Sequence, residues 1–317
     1  LKETAAQWSD VFTLDDISLR QKIIDDGIDI LFDMTGHSEL GSRLRVFAAR
    51  AAPVQVKWVG GLFSSSGLKE MDWLLADAVQ VPEGFEKYYS EKIYRMPDDY
   101  ICYVPPEHDL QPNDLPAVQN GYMTFGNLNH VAKTNDESID LWSGILETLP
   151  ESRLILKTKG VEIPAVQKRI LSRFEHNGID PSRIELEGGA PHKEFLEVYN
   201  RIDVALDPVP YSGGLTTCEA LWMGVPVITL PGITFASRHA ATHLAATGGL
   251  DDWIINSKEA YIQRAVDASH DLDGLNTLRH DLRGRMLSSP LTDGARYGEN
   301  FGLALRKMWD EFAQEHL

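Results

Sequence analysis

The residues best suited to chemistry lie in a turn rich in proline and glycine, which reads DPVPYSGGLTTCEALW and spans residues 207–222. The turn follows the apolar run Val204–Leu206, so a helix would begin where a strand ends. Amide N–H groups at a helix start bind anions, and glycine lets a ligand approach the backbone. The segment therefore predicts a phosphate-binding turn, with an ordinary glycine-rich turn capped by threonine as the alternative. Its candidate donors are Gly213, Gly214, Leu215, Thr216 and Thr217.

Glu219 follows about half a turn further along the same predicted helix. Its carboxylate can accept hydrogen bonds from the hydroxyl groups of a sugar. The alternative is a glutamate that faces solvent on the surface of the helix.

A second candidate segment reads GNLNHVAKTN, spans residues 126–135 and follows the predicted strand Tyr122–Gly126. Polar residues after the strands of a doubly wound sheet face its ligand. Lys133 in this segment is a compact cation suited to a phosphate oxygen. The alternative is a surface lysine beside the cap of the next helix.

Two weaker candidates also follow predicted strands. His37 lies in the run Met34–Ser38, where it can orient a substrate or move a proton, or simply cap a turn. The run Gly188–Lys193 offers small residues against which a flat ring can lie. The alternative for that run is an ordinary turn with Pro191 at the first helical position.

Composition limits the class of protein. The 317 residues suggest about two domains. A net charge of −17 argues against nucleic acid or a membrane surface as the main partner. No run approaches the ~18 apolar residues of a membrane span. Two cysteines without metal-ligand spacing favour a reducing, cytoplasmic setting.

The first third of the chain has an αβαβ pattern that is too short for a complete doubly wound domain, so we expect missing units before Leu1. The predicted helices there span residues 18–26 and 39–50, and the predicted strands span residues 27–33, 54–59, 73–76 and 92–94. A proline-rich linker is predicted at residues 104–120.

Strands and helices alternate again after that linker, which predicts a parallel sheet with helices on both faces. The predicted strands span residues 122–126, 153–157, 183–186, 203–206 and 225–229. The predicted helices span residues 136–148, 162–177, 191–200, 215–223 and 236–246, with a mostly helical tail from Ser257. The sequence thus predicts an α/β protein with two Rossmann-like lobes.

Two patterns with metal-binding spacing are not favoured as metal sites. Asp271 and Asp273 form a D-x-D pattern in a polar region that does not follow a strand. His239 and His243 have the spacing of two ligands on one helix face, but no third ligand is near them in sequence.

The chain resembles the catalytic region of the O-linked N-acetylglucosamine transferase family, most closely its bacterial members, which often carry tetratricopeptide repeats ahead of that region. The resemblance covers nearly the whole chain in order. It rests on the runs DGIDILFDMTGH, RAAPVQVKWVG, MDWLLAD, YSEKIYRMP, GNLNHVAKTND, ALDPVPYSGGLTTCEALWMGVPVITLPGITFASR and SSPLTDGARY.

The resemblance implies a glycosyltransferase B type fold, in which two Rossmann-like lobes face a cleft. Residues 1–110 would be a partial N-terminal lobe on the acceptor side. Residues 111–317 would be the lobe that binds the UDP-sugar, with a last helix at about 295–315 that crosses back. It also implies transfer from a UDP-sugar, with UDP-N-acetylglucosamine expected, to a protein Ser or Thr hydroxyl. Transfer would proceed with inversion and without a metal ion.

The resemblance also assigns residues. The catalytic lysine of the family falls on Lys133. Glu219 takes the place of an aspartate that holds the ribose, His130 replaces a glutamine, and His192 replaces a lysine beside Ala190. The implied donor-binding set is Asn129, His130, Ala190, His192, Gly213, Gly214, Leu215, Thr216, Thr217 and Glu219. In the first lobe, the loop at residues 59–67 is one residue longer than in the family and lacks its proline, which leaves acceptor handling open.

Three alternatives stay open from the sequence. The donor can be another UDP-hexose, or the acceptor can be an asparagine. Departures from the family at His130, Leu215 and His192 also suit a regulatory protein that binds UDP without turnover. The group that takes the acceptor's proton is His37, water or an oxygen of the donor phosphate.

Overall fold

The computed structural model describes residue 3 and residues 5–38, 41–59 and 65–316. The chain folds into two compact units. One consists of Leu1–Tyr100 together with Gly298–Leu317, and the other of Ile101–Tyr297. The second unit begins ahead of the boundary predicted at residue 110.

The described residues form eleven α-helices and nine strands, joined by turns and short 3-10 helices. The helices are α1 Asp16–Asp25, α2 Leu44–Ala48, α3 Pro116–Asn120, α4 Asp136–Thr148, α5 Pro164–His176, α6 His192–Glu197, α7 Leu215–Trp222, α8 His239–Thr247, α9 Lys258–His270, α10 Leu272–Leu287 and α11 Gly294–His316. The strands are β1 Ile30–Asp33, β2 Val54–Lys57, β3 Trp73–Asp77, β4 Lys92–Met96, β5 Thr124–Asn127, β6 Arg153–Lys157, β7 Ile184–Glu187, β8 Val204–Leu206 and β9 Val227–Ile228. Within this described part of the chain, no helix combines the length and apolar character needed to cross a bilayer.

The first unit contains a parallel sheet with the strand order β1-β2-β3-β4. Ile30 of β1 pairs with Val54 of β2, and Trp73 of β3 pairs with Lys92 of β4. Strands β2 and β3 are buried along their whole length, as in sheets covered on both faces. All four strands end at one edge of this sheet, where the turn that carries His37 follows β1.

The last helix contributes to the first unit from residue 298 onward. Phe301 of α11 stacks on Phe32 with ring centroids 5.5 Å apart and lies 5.2 Å from the ring of Trp58. Aromatic pairs at these distances bury large apolar areas. The first unit is therefore built from chain segments that are far apart in sequence.

The second unit contains a parallel sheet with the strand order β7-β6-β5-β8-β9. The order reverses at β5, which pairs with β6 on one side and with β8 on the other. Loops that leave the sheet beside such a reversal open a crevice at the carboxyl ends of the strands. The loops after β5 and β8 are therefore placed to hold a ligand. Large buried side chains from both faces fill the core, including Phe125, Trp142, Phe174, Tyr199 and Tyr261.

Most predicted elements are present, and α4 and β6 match their predicted bounds. Three predicted elements differ in their bounds from the observed ones, and in each case a glycine or valine with a positive φ lies at or near the boundary. The strand predicted from residue 27 begins at Ile30, because Gly27 has a φ of 67° and ends α1. The helix predicted at residues 39–50 is shortened to α2, and Gly41 before it has a φ of 84°; residues 39 and 40 lie outside the described residues. Strand β2 ends two residues early, ahead of the left-handed Val59.

The predicted linker at residues 104–120 is more ordered than its prolines suggested. It contains α3, which Pro116 begins at the first helical position. Leu115 in front of α3 is completely buried. The helix predicted at residues 191–200 likewise departs from the prediction, because α6 ends at Glu197 and continues as the 3-10 turn Val198–Arg201.

Candidate active site

The loop after β5 is anchored to the neighbouring strand β8. Asn127 is buried and donates from Nδ2 to the carbonyl of Leu206 over 2.7 Å. Its Oδ1 accepts the amide of Asn129 over 3.1 Å. The exposed His130 then accepts the amide of Ala132 over 3.2 Å at the start of the 3-10 turn Val131–Lys133. In this arrangement His130 caps a turn, and its ring is accessible to a ligand.

The loop after β8 closes around the carboxylate of Asp207. Asp207 is buried, accepts the amide of Gly213 over 2.6 Å and accepts the hydroxyl of Thr229 over 2.6 Å. Burial raises the pKa of Asp207, and its hydrogen bonds together with Lys133 act in the opposite direction. Asp207 therefore fixes the shape of the turn that leads into α7.

Part of the predicted donor set at residues 213–217 is already hydrogen-bonded within the protein. The amide of Gly213 is bound by Asp207. The amide of Thr217 donates to the carbonyl of Gly214 over 2.9 Å, and its hydroxyl donates to Gly213 over 3.0 Å. Among the described residues, the amides of Gly214, Leu215 and Thr216 have no protein acceptor. These three are the donors that the start of α7 can offer.

The two loops converge at Lys133. Its Nζ donates to the carbonyl of Ser212 over 2.7 Å and lies 3.5 Å from Oδ1 of Asn129. The ring of Tyr211 covers the ammonium group, with the ring centroid 3.9 Å from Nζ. The Thr216 hydroxyl donates to the same Asn129 oxygen over 2.9 Å. The structure thus brings Asn129, Lys133, Gly213 and Thr216 together at one place.

Lys133 carries a charge that the protein does not neutralise nearby. Burial lowers its pKa to about 8, and the more distant Asp207 opposes this shift. Within residues 3–316 as described, Lys133 forms no ion pair; its partners are a carbonyl, an amide oxygen and an aromatic face. An anion that binds beside such a desolvated cation stabilises its charged form.

Glu219 and His192 form a second group on α7 and α6. Glu219 is buried, and its Oε1 lies 2.7 Å from Nε2 of His192. Burial raises the pKa of Glu219, and His192 lowers it. Burial rules out the alternative in which Glu219 faces solvent. Ala190 lies just ahead of α6, next to Gly189, where a Cβ would lie 3.1 Å from Cβ of Lys159.

His37 belongs to the first unit, whereas the other candidate residues belong to the second. It is exposed in the turn after β1. The buried Asp33 holds this turn by accepting the amides of Thr35 over 3.0 Å and of Gly36 over 2.9 Å. Most of the loop at residues 59–67, where acceptor handling was left open, lies outside the described residues.

Sequence reasoning missed four residues that shape the site. Asp207 and Tyr211 belong to the turn that was singled out, yet nothing in their spacing showed that one holds the turn and the other covers Lys133. Asn127 belongs to the second candidate segment, but nothing in the sequence showed that its side chain joins this loop to β8. His108 lies in the proline-rich segment without any periodic signal, and its ring contacts His192.

Two compact units, each with a parallel sheet, are the architecture of glycosyltransferases with the B type fold. The structure of a mutant of the Thermobaculum terrenum O-GlcNAc transferase aligns with the whole chain at a TM-score of 0.91 and 36% identity, and the chain covers 59% of it. Sucrose-phosphate synthase from Thermosynechococcus elongatus shares the fold at a TM-score of 0.64 and 15% identity, over 93% of this chain and 77% of that one. The predicted fold is confirmed.

The chain belongs to Glycosyl transferase family 41, whose sequence pattern matches residues 9–108 and 113–301. A Petunia hybrida protein named "Probable UDP-N-acetylglucosamine--peptide N-acetylglucosaminyltransferase SPINDLY" is 34% identical over 96% of this chain. An Arabidopsis thaliana relative with the same enzyme name and the suffix SEC is 30% identical over 98% of it. The chain spans about a third of the length of these curated relatives, 32% in both cases. The family resemblance seen in the sequence is confirmed.

Proposed function

We propose that this chain is the catalytic region of a protein O-glycosyltransferase. It would move a sugar from a UDP-sugar, with UDP-N-acetylglucosamine as the expected donor, to a Ser or Thr hydroxyl of a protein. Membership of the family and the names of the relatives support this reaction class. The observation that carries the proposal is the ammonium group of Lys133, which has no ion pair among the described residues, beside the open amides at the start of α7.

The chemistry follows from where charge develops. As the bond between the sugar and the diphosphate breaks, negative charge grows on the departing phosphate oxygen. Lys133 and the amides of Gly214, Leu215 and Thr216 would stabilise that charge without having to reorganise. Because these groups supply the positive charge, we expect no metal ion in the reaction.

The acceptor hydroxyl would attack the anomeric carbon from the face opposite the diphosphate, which inverts the configuration. A new carbon–oxygen bond forms as the bond to the diphosphate breaks, and the hydroxyl proton leaves. His37, water and an oxygen of the donor phosphate remain the candidates for taking this proton. In the same proposal, Glu219 accepts hydrogen bonds from the ribose, and the residues around Ala190 and His130 contact the base. Cytoplasmic location, bacterial origin and repeats ahead of this chain remain predictions from the sequence.

A donor panel tests the proposal. The chain would be incubated with UDP- and GDP-sugars and a Ser/Thr peptide library, and mass spectrometry would identify the modified residue and the added mass. We expect transfer of N-acetylhexosamine from the UDP donor to Ser or Thr. Transfer of a different hexose, or to Asn, would favour the first two alternatives. UDP binding without transfer by the full-length protein would favour a regulatory role, and absence of any nucleotide binding would contradict the proposal.

A further inference from the structure

The carboxylate of Glu219 ends a chain of two histidines that come from different segments. Nε2 of His192 lies 2.7 Å from Oε1 of Glu219, and Nε2 of His108 lies 3.3 Å from Nδ1 of His192. The side chain of Glu219 is 6% exposed, whereas that of His192 is 50% exposed. The chain therefore leads from a partly open surface to a buried acid.

The chemistry of the three groups fixes the direction of this chain. An ionised carboxylate only accepts hydrogen bonds, so Nε2 of His192 must donate to Glu219. A neutral His192 then has an unprotonated Nδ1, which accepts the N–H of His108. Donation from His108 therefore favours the tautomer of His192 that can bind the carboxylate.

A buried carboxylate needs such a partner to act as a fixed acceptor. Burial favours the protonated form of Glu219, and among the described residues His192 is the one that lowers its pKa. A protonated carboxyl would present a donor as well as an acceptor and lose its preference for hydroxyl donors. With Oε1 bound to His192, the carboxylate keeps further acceptor capacity, including its second oxygen, for hydroxyl groups of a ligand.

We propose that His192, oriented by His108, is a positioning residue that gives the nucleotide site its preference for ribose over 2′-deoxyribose. This inference rests on the proposed function, which puts the ribose at Glu219. In this proposal His192 acts by orienting the carboxylate of Glu219, and it does not contact the base directly. It also brings His108 into the site, a residue that the sequence did not indicate.

Two substitutions with the same functional group test the positioning role. In His192→Gln the amide nitrogen can reach the place of Nε2, whereas in His192→Asn it can reach only the place of Nδ1. We expect His192→Asn to weaken UDP binding about 10-fold, the size of one hydrogen bond to a charged group, and His192→Gln to restore most of it. Binding of 2′-deoxy-UDP should change by less than threefold in both, because part of what Glu219 binds is absent. Calorimetry on the full chain measures all of these affinities.

Further variants separate positioning from folding. His108→Ala should weaken UDP binding less than His192→Asn does, and His108→Gln should restore it. His280 pairs with the exposed Asp114 over 3.0 Å outside α6 and α7, so His280→Asn is the matched control and should leave both affinities unchanged. Equal losses for UDP and 2′-deoxy-UDP, or equal behaviour of His192→Asn and His192→Gln, would overturn the positioning role.

The two levels of the argument fail in different ways. Absence of UDP binding by the unmodified chain would contradict the proposed function and, with it, this inference. Normal UDP binding that none of the histidine variants changes would contradict the positioning role alone. If the chain binds GDP in place of UDP, the affinities of the variants would be measured for GDP and 2′-deoxy-GDP. A larger loss of affinity for GDP than for 2′-deoxy-GDP would support the positioning role, and equal losses would overturn it.

Discussion

Lys57 and Lys133 lie at the carboxyl edges of the two sheets, but their charges have different partners. Nζ of Lys57, at the end of β2, lies 3.4 Å from Oδ2 of Asp33, and both side chains are buried. Among the residues that the structure describes, Nζ of Lys133 in the loop after β5 contacts neutral groups, including the carbonyl of Ser212 and the ring of Tyr211. Burial lowers the pKa of both lysines; Asp33 opposes that shift at Lys57 through an ion pair, and Asp207 opposes it at Lys133 from a greater distance.

This difference indicates that Lys57 has a structural role and that Lys133 can bind an anionic ligand. The charge of Lys57 is neutralised within the fold, where it helps Asp33 to hold the turn that precedes His37. Among the described residues, the desolvated Lys133 has no carboxylate at ion-pair distance, and the more distant Asp207 compensates its charge only in part, so a bound anion would stabilise it further. We therefore expect substitution of Lys57 to affect folding and substitution of Lys133 to affect activity.

The largest effect is expected from Lys57→Met. This change leaves the carboxylate of Asp33 buried without its ion pair, which typically costs about 3–5 kcal/mol in the free energy of unfolding. Urea unfolding followed by tryptophan fluorescence would measure the loss. In the double variant Lys57→Met with Asp33→Asn, part of the stability should return, because the uncompensated charge is gone. An unchanged unfolding midpoint for Lys57→Met would show that the ion pair between Lys57 and Asp33 does not stabilise the fold.

Lys133→Met should give the opposite result. We expect turnover to fall about 10²–10³-fold, equivalent to roughly 3 kcal/mol of lost transition-state stabilisation. The free energy of unfolding should stay equal or rise, because a desolvated charge has been removed. Initial rates with the active donor from the panel, together with urea unfolding, test both halves. A variant that turns over at the original rate would remove Lys133 from the chemistry.

Gly213→Ala probes the turn that brings Lys133 and α7 together. A Cβ at this position would lie 2.8 Å from Oγ1 of Thr217 and 3.0 Å from Oδ1 of Asn129. Overpacking of this kind costs about 1–3 kcal/mol, and we expect part of it to appear as weaker UDP binding in calorimetry. Gly284→Ala in α10 is the control, since a Cβ there meets no atom within 4 Å and alanine favours a helix. Equal UDP affinities for the two variants would contradict the tight packing of the turn.

The smallest expected effect is a dependence on pH. With the pKa of Lys133 at about 8, its ammonium form is nearly complete at pH 7 and mostly lost at pH 9. A diphosphate binds the ammonium form, so UDP affinity is nearly full at pH 7, is about half of that at pH 8 and falls by about tenfold between pH 7 and 9. Calorimetry at several pH values would show the slope, and Lys133→Met should abolish it. A flat profile for the unmodified chain would mean that Lys133 keeps its proton throughout.

The sequence was sufficient for most of the fold because its signals are local. Apolar strands that alternate with amphipathic helices predicted α4 and β6 to the residue, and the order of elements predicted the parallel sheets. The errors arose where a single backbone conformation overrode the pattern, as at Gly27 and Gly41. The segment before α3 was predicted to be a linker because it is rich in proline, and nothing in the sequence indicated that Leu115 is buried.

The same locality limited the description of the site. Placing Lys133 and Thr216 after two strands of one sheet was enough to expect them near each other. The sequence could not show that Asp207 occupies the amide of Gly213, or that His108 reaches His192, because those contacts join segments whose separation is fixed by packing. It also left Glu219 between a solvent-facing and a ligand-facing role.

The sequence by itself determined the elements, the parallel sheets and the family, since these follow from periodicity, turn residues and ordered motifs. Only the tertiary structure decided which charges are neutralised within the protein. Compensation of a charge depends on atoms within a few ångströms that belong to distant parts of the chain, so identical residues such as Lys57 and Lys133 acquire different roles only when the chain has folded.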